Sequence, residues 1–392
     1  MPSHDRISTA VVVTELYPPA VGGSAVLLGQ VYARFTSHDV LVLTDGEKST
    51  GATAAAQAVT YAAIDPRLRG IASRRALSQH ARLTLTLRRL CRGTRAVVHA
   101  GRALPEGIAA LGNRVLTGVP YICWCHGEEV ATALTSRELT FTMRRVYGGA
   151  AAIVANSRHT RDLLMRAGMG VGKIEVVHPG VDADRFRPDV EGAVHMRERL
   201  AGGADLVLLS VGRLQRRKGH DLAIEAVAML ARDYPHLKYV IVGDGDERPR
   251  LKALCAALGV ESAVVFAGEL SDGDLPAAYA ACDIFLLPNR LDGADLEGFG
   301  IVFLEAAAAG KPVIAGTTGG APEAVSAGET GFLVEGTDVA ELAGRIRQLA
   351  DSRELRASLG GAGRARAARE FTWPRAAAAV MAVHAKAGGV SC

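Results

Sequence analysis

Short apolar runs rich in Val, Ile and Ala alternate along this chain with stretches whose apolar positions recur every three or four residues. Thr9-Ala-Val-Val-Val-Thr-Glu-Leu-Tyr17 reads as a first strand. Pro18-Pro19 and Gly22-Gly23 follow it, then a helical pattern from Ser24 to Phe35. Strand, Gly-rich turn and helix open a doubly wound α/β unit. Further strands are expected over Asp39–Leu43, Ala96–Ala100, Pro120–Cys125 and Ala151–Ala155. The pattern then restarts: Asp205–Val211 ends in Gly212-Arg213, a basic loop leads to Gly219, and Asp221–Ala231 reads as a helix. More strands are expected over Lys238–Val242, Ala263–Phe266, Ile284–Leu287 and Pro312–Ala315. The junction falls in Asp184–Leu200, rich in Arg, Asp, Gly and Pro. The fold class is therefore α/β. Two Rossmann-like doubly wound domains, 1–187 and 188–373, are expected to face a central cleft, where ligands of such sheets bind.

One segment of the second half carries most of the chemistry. Glu297-Gly-Phe-Gly-Ile-Val-Phe-Leu-Glu305 is followed by an Ala-rich run to Gly310 and then Lys311-Pro312, the stop signals of a helix. A carboxylate at Glu305 inside such a helix is costly without a partner. The N–H groups of Gly300, Ile301 and Val302 open the helix, and a helix N-terminus favours anions. The layout suits a diphosphate between two hydroxyl-rich groups, as in a nucleotide sugar. An isolated Glu in an apolar helix also serves as a core residue bonded to backbone, and this segment alone leaves both readings open.

At 392 residues the chain is long enough for two full cores, and 49% hydrophobic with 22% charged residues excludes disorder. A net charge of +4 does not imply nucleic acid. The charge is uneven, with ten Arg and no Asp or Glu between Pro66 and Pro105. The six cysteines form no Cys-x-x-Cys pair, and Cys123 and Cys125, sharing one strand face, read as buried filler. With a polar Met1–Ser8 and no apolar run near a membrane span, a cytoplasmic protein is expected. No Gly-x-Gly-x-x-Gly follows either first strand, which weakens a dinucleotide enzyme.

Arg213 and Lys218 follow the first strand of the second half, bracketed by Gly212 and Gly219, and are assigned to the phosphates. Arg216 and Arg217 between them read as solvated. Asp182/Asp184, Asp244/Asp246 and Asp272/Asp274 lie in turn contexts, so no metal and no cofactor is expected. His126 ends the strand at Cys125 and could meet a sugar hydroxyl or the departing oxygen.

These pieces together resemble the family 4 retaining glycosyltransferases of GT-B fold. The matching residues are Pro18-Pro19-x-x-Gly22-Gly23, His126-Gly127-x-Glu129, Asn156-Ser157, His178-Pro179-Gly180-Val181-Asp182, Gly212-Arg213-Leu214 to Lys218-Gly219, Glu297 to Glu305-Ala, and Gly319-Gly320-x-Pro322-Glu323. The resemblance implies that Gly23 lets its loop approach the donor phosphate and acceptor, and that Arg213 and Lys218 stabilise the leaving diphosphate. It implies that Glu297 binds the transferred sugar and Glu305 the ribose. Phe299, Gly300, Ile301 and Val302 would contact sugar or phosphate through backbone, Leu270 the base, and His126 the reaction centre. It also implies a last helix, 374–392, packed back on the first domain.

Within that family the Glu297 and Ala315–Glu323 segments are similar to phosphatidylinositol mannosyltransferases of actinobacteria and to transferases that build aminocyclitol antibiotics. The expected reaction is hexosyl transfer from a nucleotide sugar to a small polyol or aminocyclitol in antibiotic biosynthesis, with Glu128, Glu129, Asp292 and Asp295 as acids for a cationic acceptor. The alternative is GDP-mannose-dependent transfer to a phosphatidylinositol-type lipid-linked polyol. There the Arg-rich stretch 67–95, with its interspersed leucines, would touch the inner membrane. A GT-B epimerase, or a binding protein that uses the Arg-rich stretch, remains a further reading.

Overall fold

A computed structural model describes residues 8–20, 22–35, 39–45, 58–293 and 295–389. Cys392 and the end of the expected last helix lie outside them. The chain divides into two compact units, 1–179 with 373–392, and 180–372. The division precedes the 187/188 boundary expected from composition. Val181 and Phe186 explain the difference: both are buried in the second unit's core, and the Val181 N–H donates to the Phe371 carbonyl at 2.8 Å.

The first unit holds a seven-stranded parallel sheet, β3-β2-β1-β4-β5-β6-β7. Its strands are β1 Thr9–Val13, β2 Val40–Thr44, β3 Ala58–Tyr61, β4 Ala96–Ala100, β5 Tyr121–Cys125, β6 Ala152–Ala155 and β7 Ile174–Val176. Helices cover both faces, so central strands are buried at every position and mostly apolar, rather than alternating. β5, Tyr-Ile-Cys-Trp-Cys, is buried throughout, and Cys123 and Cys125 are free thiols in its core. The last helix, Trp373–Ala387, belongs to this unit. A buried chain of hydrogen bonds fastens it. The Trp124 indole donates to the Tyr32 hydroxyl at 2.8 Å, that hydroxyl lies 2.7 Å from His99, and His99 lies 2.8 Å from His384.

The second unit holds a six-stranded parallel sheet, β10-β9-β8-β11-β12-β13. Its strands are β8 Leu206–Val211, β9 Leu237–Val242, β10 Val264–Gly268, β11 Ile284–Leu287, β12 Val313–Gly316 and β13 Gly331–Val334. In each sheet the strand order reverses once, between β1 and β4 in the first and between β8 and β11 in the second. Loops leaving the carboxyl ends of such strands diverge and open a ligand crevice. The outer helix Arg74–Leu90 buries Ala76, Gln79, His80, Leu83, Thr84 and Leu87 at helical spacing and leaves its arginines outside.

Candidate active site

In the second unit, β8 runs into a loop that tightens to a 3-10 turn, Arg216–Lys218. Gly219 ends that turn at φ +73°, and a Cβ there would stand 2.1 Å from the Pro288 carbonyl oxygen. Only glycine lets the turn sit so close to the end of β11. The Arg290 N–H also donates to the Arg217 carbonyl at 2.8 Å. The turn is thereby fixed at the switch point with Lys218 pointing inward, 8% exposed.

Lys218 Nζ donates to Glu297 Oε2, and Arg217 Nη1 donates to the same oxygen at 2.9 Å. Arg217 Nε lies 3.0 Å from Asp295 Oδ2. Burial would raise the Glu297 carboxyl, but Lys218 and Arg217 outweigh it and hold the group below its ordinary range. The carboxylate is therefore ionised at neutrality. Arg217 thus departs from the solvated role read from sequence, its side chain being 13% exposed, whereas Arg216 is 64% exposed. Two neighbouring arginines have opposite fates because the 3-10 turn points them in different directions, a geometry that spacing alone does not reveal. Arg213 is exposed at the end of β8. Behind Lys218, His220 is pushed down to about 4 by burial and the nearby ammonium, so the imidazole is neutral.

The Glu297 loop rests on the glycine pair of the Gly319-Gly320-x-Pro322-Glu323 motif. The Gly320 N–H donates to the Glu297 carbonyl at 2.9 Å. A Cβ on Gly319 would lie 2.1 Å from that oxygen, and one on Gly320 2.2 Å from the Gly298 oxygen. Gly300 caps the helix Ile301–Ala308 without any side-chain cap. Ile301 and Val302 are half-buried at its start, and Phe299 is buried, its ring 5.9 Å from Phe371. Ile301 and Glu305, four apart, share a helix face. The partner Glu305 needs is Tyr279, whose hydroxyl donates to Oε2 at 2.6 Å. Burial still raises the Glu305 carboxyl. Leu270 is half-buried against the same core. The Asp-x-Asp pairs perform turn and ion-pair work: Asp182 Oδ1 accepts from the Asp184 and Arg185 N–H groups, Asp244 pairs with Arg248, and Asp272 with Arg185. Among the described residues no group of three His, Cys, Asp or Glu is placed to hold a metal.

In the first unit, Gly23 is the exposed first residue of the helix Gly23–Tyr32, beyond β1. His126 follows β5, 5% exposed, its ring stacked on Trp124 at 6.2 Å and 3°. Its Nε2 donates to the Gly101 carbonyl at 3.0 Å, and its N–H donates to Glu129 Oε1 at 2.7 Å. Burial is the main cause that lowers its pKa, so the ring is neutral. Arg102 acts on it through its charge, and Glu15 and Glu106 join Arg102 in a cluster. No spacing in the sequence marked these three, because Glu15 follows β1 while Arg102 and Glu106 follow β4, 87 and 91 residues later.

Two parallel Rossmann-like units, the second with a cation–carboxylate centre at its switch point, have the architecture of the GT-B glycosyltransferases. Residues 195–366 match the family model "Glycosyl transferases group 1", and residues 21–185 match "Glycosyltransferase Family 4". The chain is 32% identical over 386 residues, 95% of its length and 97% of the relative's, to a GDP-mannose-dependent alpha-(1-6)-phosphatidylinositol monomannoside mannosyltransferase of Mycobacterium tuberculosis. It is 37% identical over 254 residues, 62% of its length and 53% of the relative's, to a D-inositol 3-phosphate glycosyltransferase of Streptomyces avermitilis. Its fold matches a solved sucrose-phosphate synthase of Thermosynechococcus elongatus with a TM-score of 0.82 at 21% identity, over 98% of this chain and 100% of that one. The chain belongs to the family 4, group 1 glycosyltransferases, and it is a hexosyltransferase. Neither relative supports the aminocyclitol and antibiotic role expected from sequence.

Proposed function

We propose that the protein transfers mannose from GDP-mannose, with retention and without a metal, to an acceptor that carries an inositol and a phosphate, of the phosphatidylinositol mannoside type. The relationship to the mycobacterial mannosyltransferase, which runs through nearly the whole of both chains, carries this reading. Lys218 and Arg217, with Arg213 nearby, hold the diphosphate against the first turn of the helix Ile301–Ala308. Glu297, kept ionised by those cations, accepts from hydroxyls of the sugar. Glu305, oriented by Tyr279, accepts from the ribose. In the reaction the bond from the anomeric carbon to the diphosphate oxygen breaks and the acceptor oxygen bonds to that carbon on the same face. The acceptor proton passes to the departing phosphate oxygen, so no protein nucleophile is required. Cations fixed before substrate arrives stabilise the charge that develops on the leaving group.

Among the described residues no helix is long and apolar enough to cross a membrane. The helix Arg74–Leu90 instead presents Arg74, Arg75, Arg82, Arg88 and Arg89 outward with Leu77 51% and Leu85 49% exposed. That face suits a peripheral contact with anionic lipid, at about 1 kcal/mol per Arg near the surface.

Thermal shift with GDP, UDP, ADP and their sugar conjugates in EDTA tests the donor. Product analysis with GDP-mannose and phosphatidylinositol mannoside tests the acceptor. Stabilisation by GDP and a mannosylated lipid are expected. Stabilisation by UDP alone, or free mannose as the sole product, would overturn the reading.

A further inference from the structure

At the switch point of the first unit, one short stretch after β4 reaches both neighbouring loops. Arg102 Nη1 donates to Glu15 Oε1 at 3.3 Å, in the loop after β1. Arg102 Nη2 donates to Glu128 Oε1 at 3.0 Å, in the first turn after β5. One residue earlier, the Gly101 carbonyl accepts from His126 Nε2. Four residues later, Glu106 Oε1 accepts from the Glu15 N–H at 3.1 Å. Residues 101–106 thus hold the Glu15 loop by two bonds and the His126 loop by two more.

The cluster is buried and not closed on itself. Glu106 is 0% exposed and His126 5% exposed. Glu106 Oε2, Glu129 Oε2 and His126 Nδ1 have no hydrogen-bond partner. Since a carbonyl can only accept, His126 carries its proton on Nε2, and Nδ1 is left as an acceptor. Such acceptors suit a ligand made of hydroxyls.

We propose that Arg102 and Glu106 are positioning residues of glycosyl transfer, which hold the Glu15 loop and His126 in one arrangement and so set where the hydroxyl acceptor sits on the first unit. The proposal rests on the glycosyltransferase reading and on hydroxyls as the acceptor groups. Four carboxyl groups, Glu15, Glu106, Glu128 and Glu129, surround the Arg102 guanidinium. Facing Glu106 are Glu15 from the β1 loop, Arg102 from its own stretch and Cys123 from β5. Burial first, and then Glu15, push the Glu106 carboxyl up to about 7, with Arg102 opposing. The Cys123 thiol is raised by burial, and His126 is held low. An ionisation near neutrality in this cluster therefore belongs to Glu106. Once ionised, Glu106 gives Arg102 one more anion to satisfy and loosens its hold on Glu15 and Glu128.

The test compares wild type, Glu106→Gln, Arg102→Met and Arg102→Lys in the full chain. It uses GDP-mannose and phosphatidylinositol mannoside, whose phosphodiester does not titrate near neutrality, with kcat and acceptor KM followed across pH and GDP affinity measured alongside. Wild-type kcat/KM for the acceptor should bend near pH 7, and Glu106→Gln, near-isosteric and expected to fold, should lose that bend. Arg102→Met should lower acceptor kcat/KM on the order of tenfold to a hundredfold through lost charged hydrogen bonds, with GDP affinity unchanged. Arg102→Lys should recover part of the loss. A bend near pH 7 that survives in Glu106→Gln, or an Arg102→Met enzyme with wild-type acceptor kcat/KM, overturns the proposal while leaving the transferase reading intact. A folded wild type that neither binds GDP nor transfers mannose overturns that reading and this proposal together.

Discussion

Replacing Glu297 by Gln should tighten the binding of GDP while it slows transfer. In the structure Lys218 and Arg217 both converge on Glu297 Oε2, and the carboxylate is 11% exposed. A diphosphate drawn to the same two cations must share them with an existing anion. At an effective dielectric of about 20 and a separation on the order of 6–10 Å, repulsion between unit charges is about 2–3 kcal/mol. Solvent and relaxation reduce it to about 1.4 kcal/mol, which is a factor of about ten in Kd. The charge is present to be removed at neutral pH, because Lys218 and Arg217 hold the carboxyl below its ordinary range against burial. The sign with pH follows. The difference between wild type and variant is full above the ordinary carboxylate range and vanishes as pH falls through the depressed pKa, where wild type becomes neutral too. Transfer should fall at the same time, because Gln offers the sugar hydroxyls a weaker, uncharged acceptor. Isothermal titration with GDP in EDTA at about 0.15 M salt, beside steady-state rates with GDP-mannose, reads both effects. A Glu297→Gln protein that binds GDP no better than wild type would mean that Lys218 and Arg217 do not receive the diphosphate.

Arg216→Ala should leave GDP affinity unchanged and Arg217→Ala should weaken it about tenfold or more, since Arg216 is 64% exposed and Arg217 13%; equal effects would refute the geometry of the turn. Tyr279→Phe removes the donor to Glu305 and should cost about 1–3 kcal/mol, read as a lower Tm, and an unchanged Tm would show that Glu305 does not need it. Gly320→Ala drives a Cβ to 2.2 Å from the Gly298 oxygen, so transfer should be lost while the first unit keeps its fold by circular dichroism, and an active variant would show that the Glu297 loop can shift. Glu106, raised from 4.5 to about 7, contributes fully below its unfolded pKa, and that stability is lost as pH rises through about 7. At about 1.4 kcal/mol per pKa step, Glu106→Gln should be more stable than wild type at pH 8.5 by about 3 kcal/mol, a gap that narrows to under about 1 kcal/mol at pH 5, as thermal melts in the two buffers would tell.

The parts of the fold legible in the sequence were the strands with unbroken apolar runs, most of them buried on both faces. β4 and β11 run over the residues expected from their apolar runs, and the other central strands end within two residues of expectation, apart from β1, which stops at Val13. β3, β7 and β13 were not foreseen. Each lies at the edge of its sheet, and β3 and β7 leave residues exposed, so no unbroken apolar run marks them. The same contrast holds at the site. Glu297, Glu305 and Lys218 stood out because charges inside apolar or Gly-bracketed segments demand an explanation. Arg217, Tyr279, Arg102 and Glu106 did not, because what makes them notable is a partner tens of residues away. Tyr279 looks like core until Glu305 is beside it, and Glu106 looks like the start of an ordinary helix until Glu15 and Arg102 close over it.

The two sheets share one topology and carry a different balance of charge at the same place in it. At the β8/β11 switch point, Arg217 and Lys218 face Glu297 and Asp295, two cations to two carboxylates. At the β1/β4 switch point, four carboxyl groups surround Arg102. A parallel sheet alone does not dictate this, since its carboxyl ends supply loops and leave their charge to the residues chosen. The difference matches what each partner of a glycosyl transfer brings. A nucleotide sugar brings a diphosphate, for which cations must be fixed in advance, and an acceptor brings hydroxyls, which donate to carboxylates. In both sites a charged side chain of the stretch that follows the sheet is held by a carboxylate from another loop, Lys218 by Glu297 and Arg102 by Glu15 and Glu128. Each pairing keeps a buried charge ionised and aimed before substrate arrives. The binding energy of the substrate is then available to the transition state instead of being spent on ordering the site.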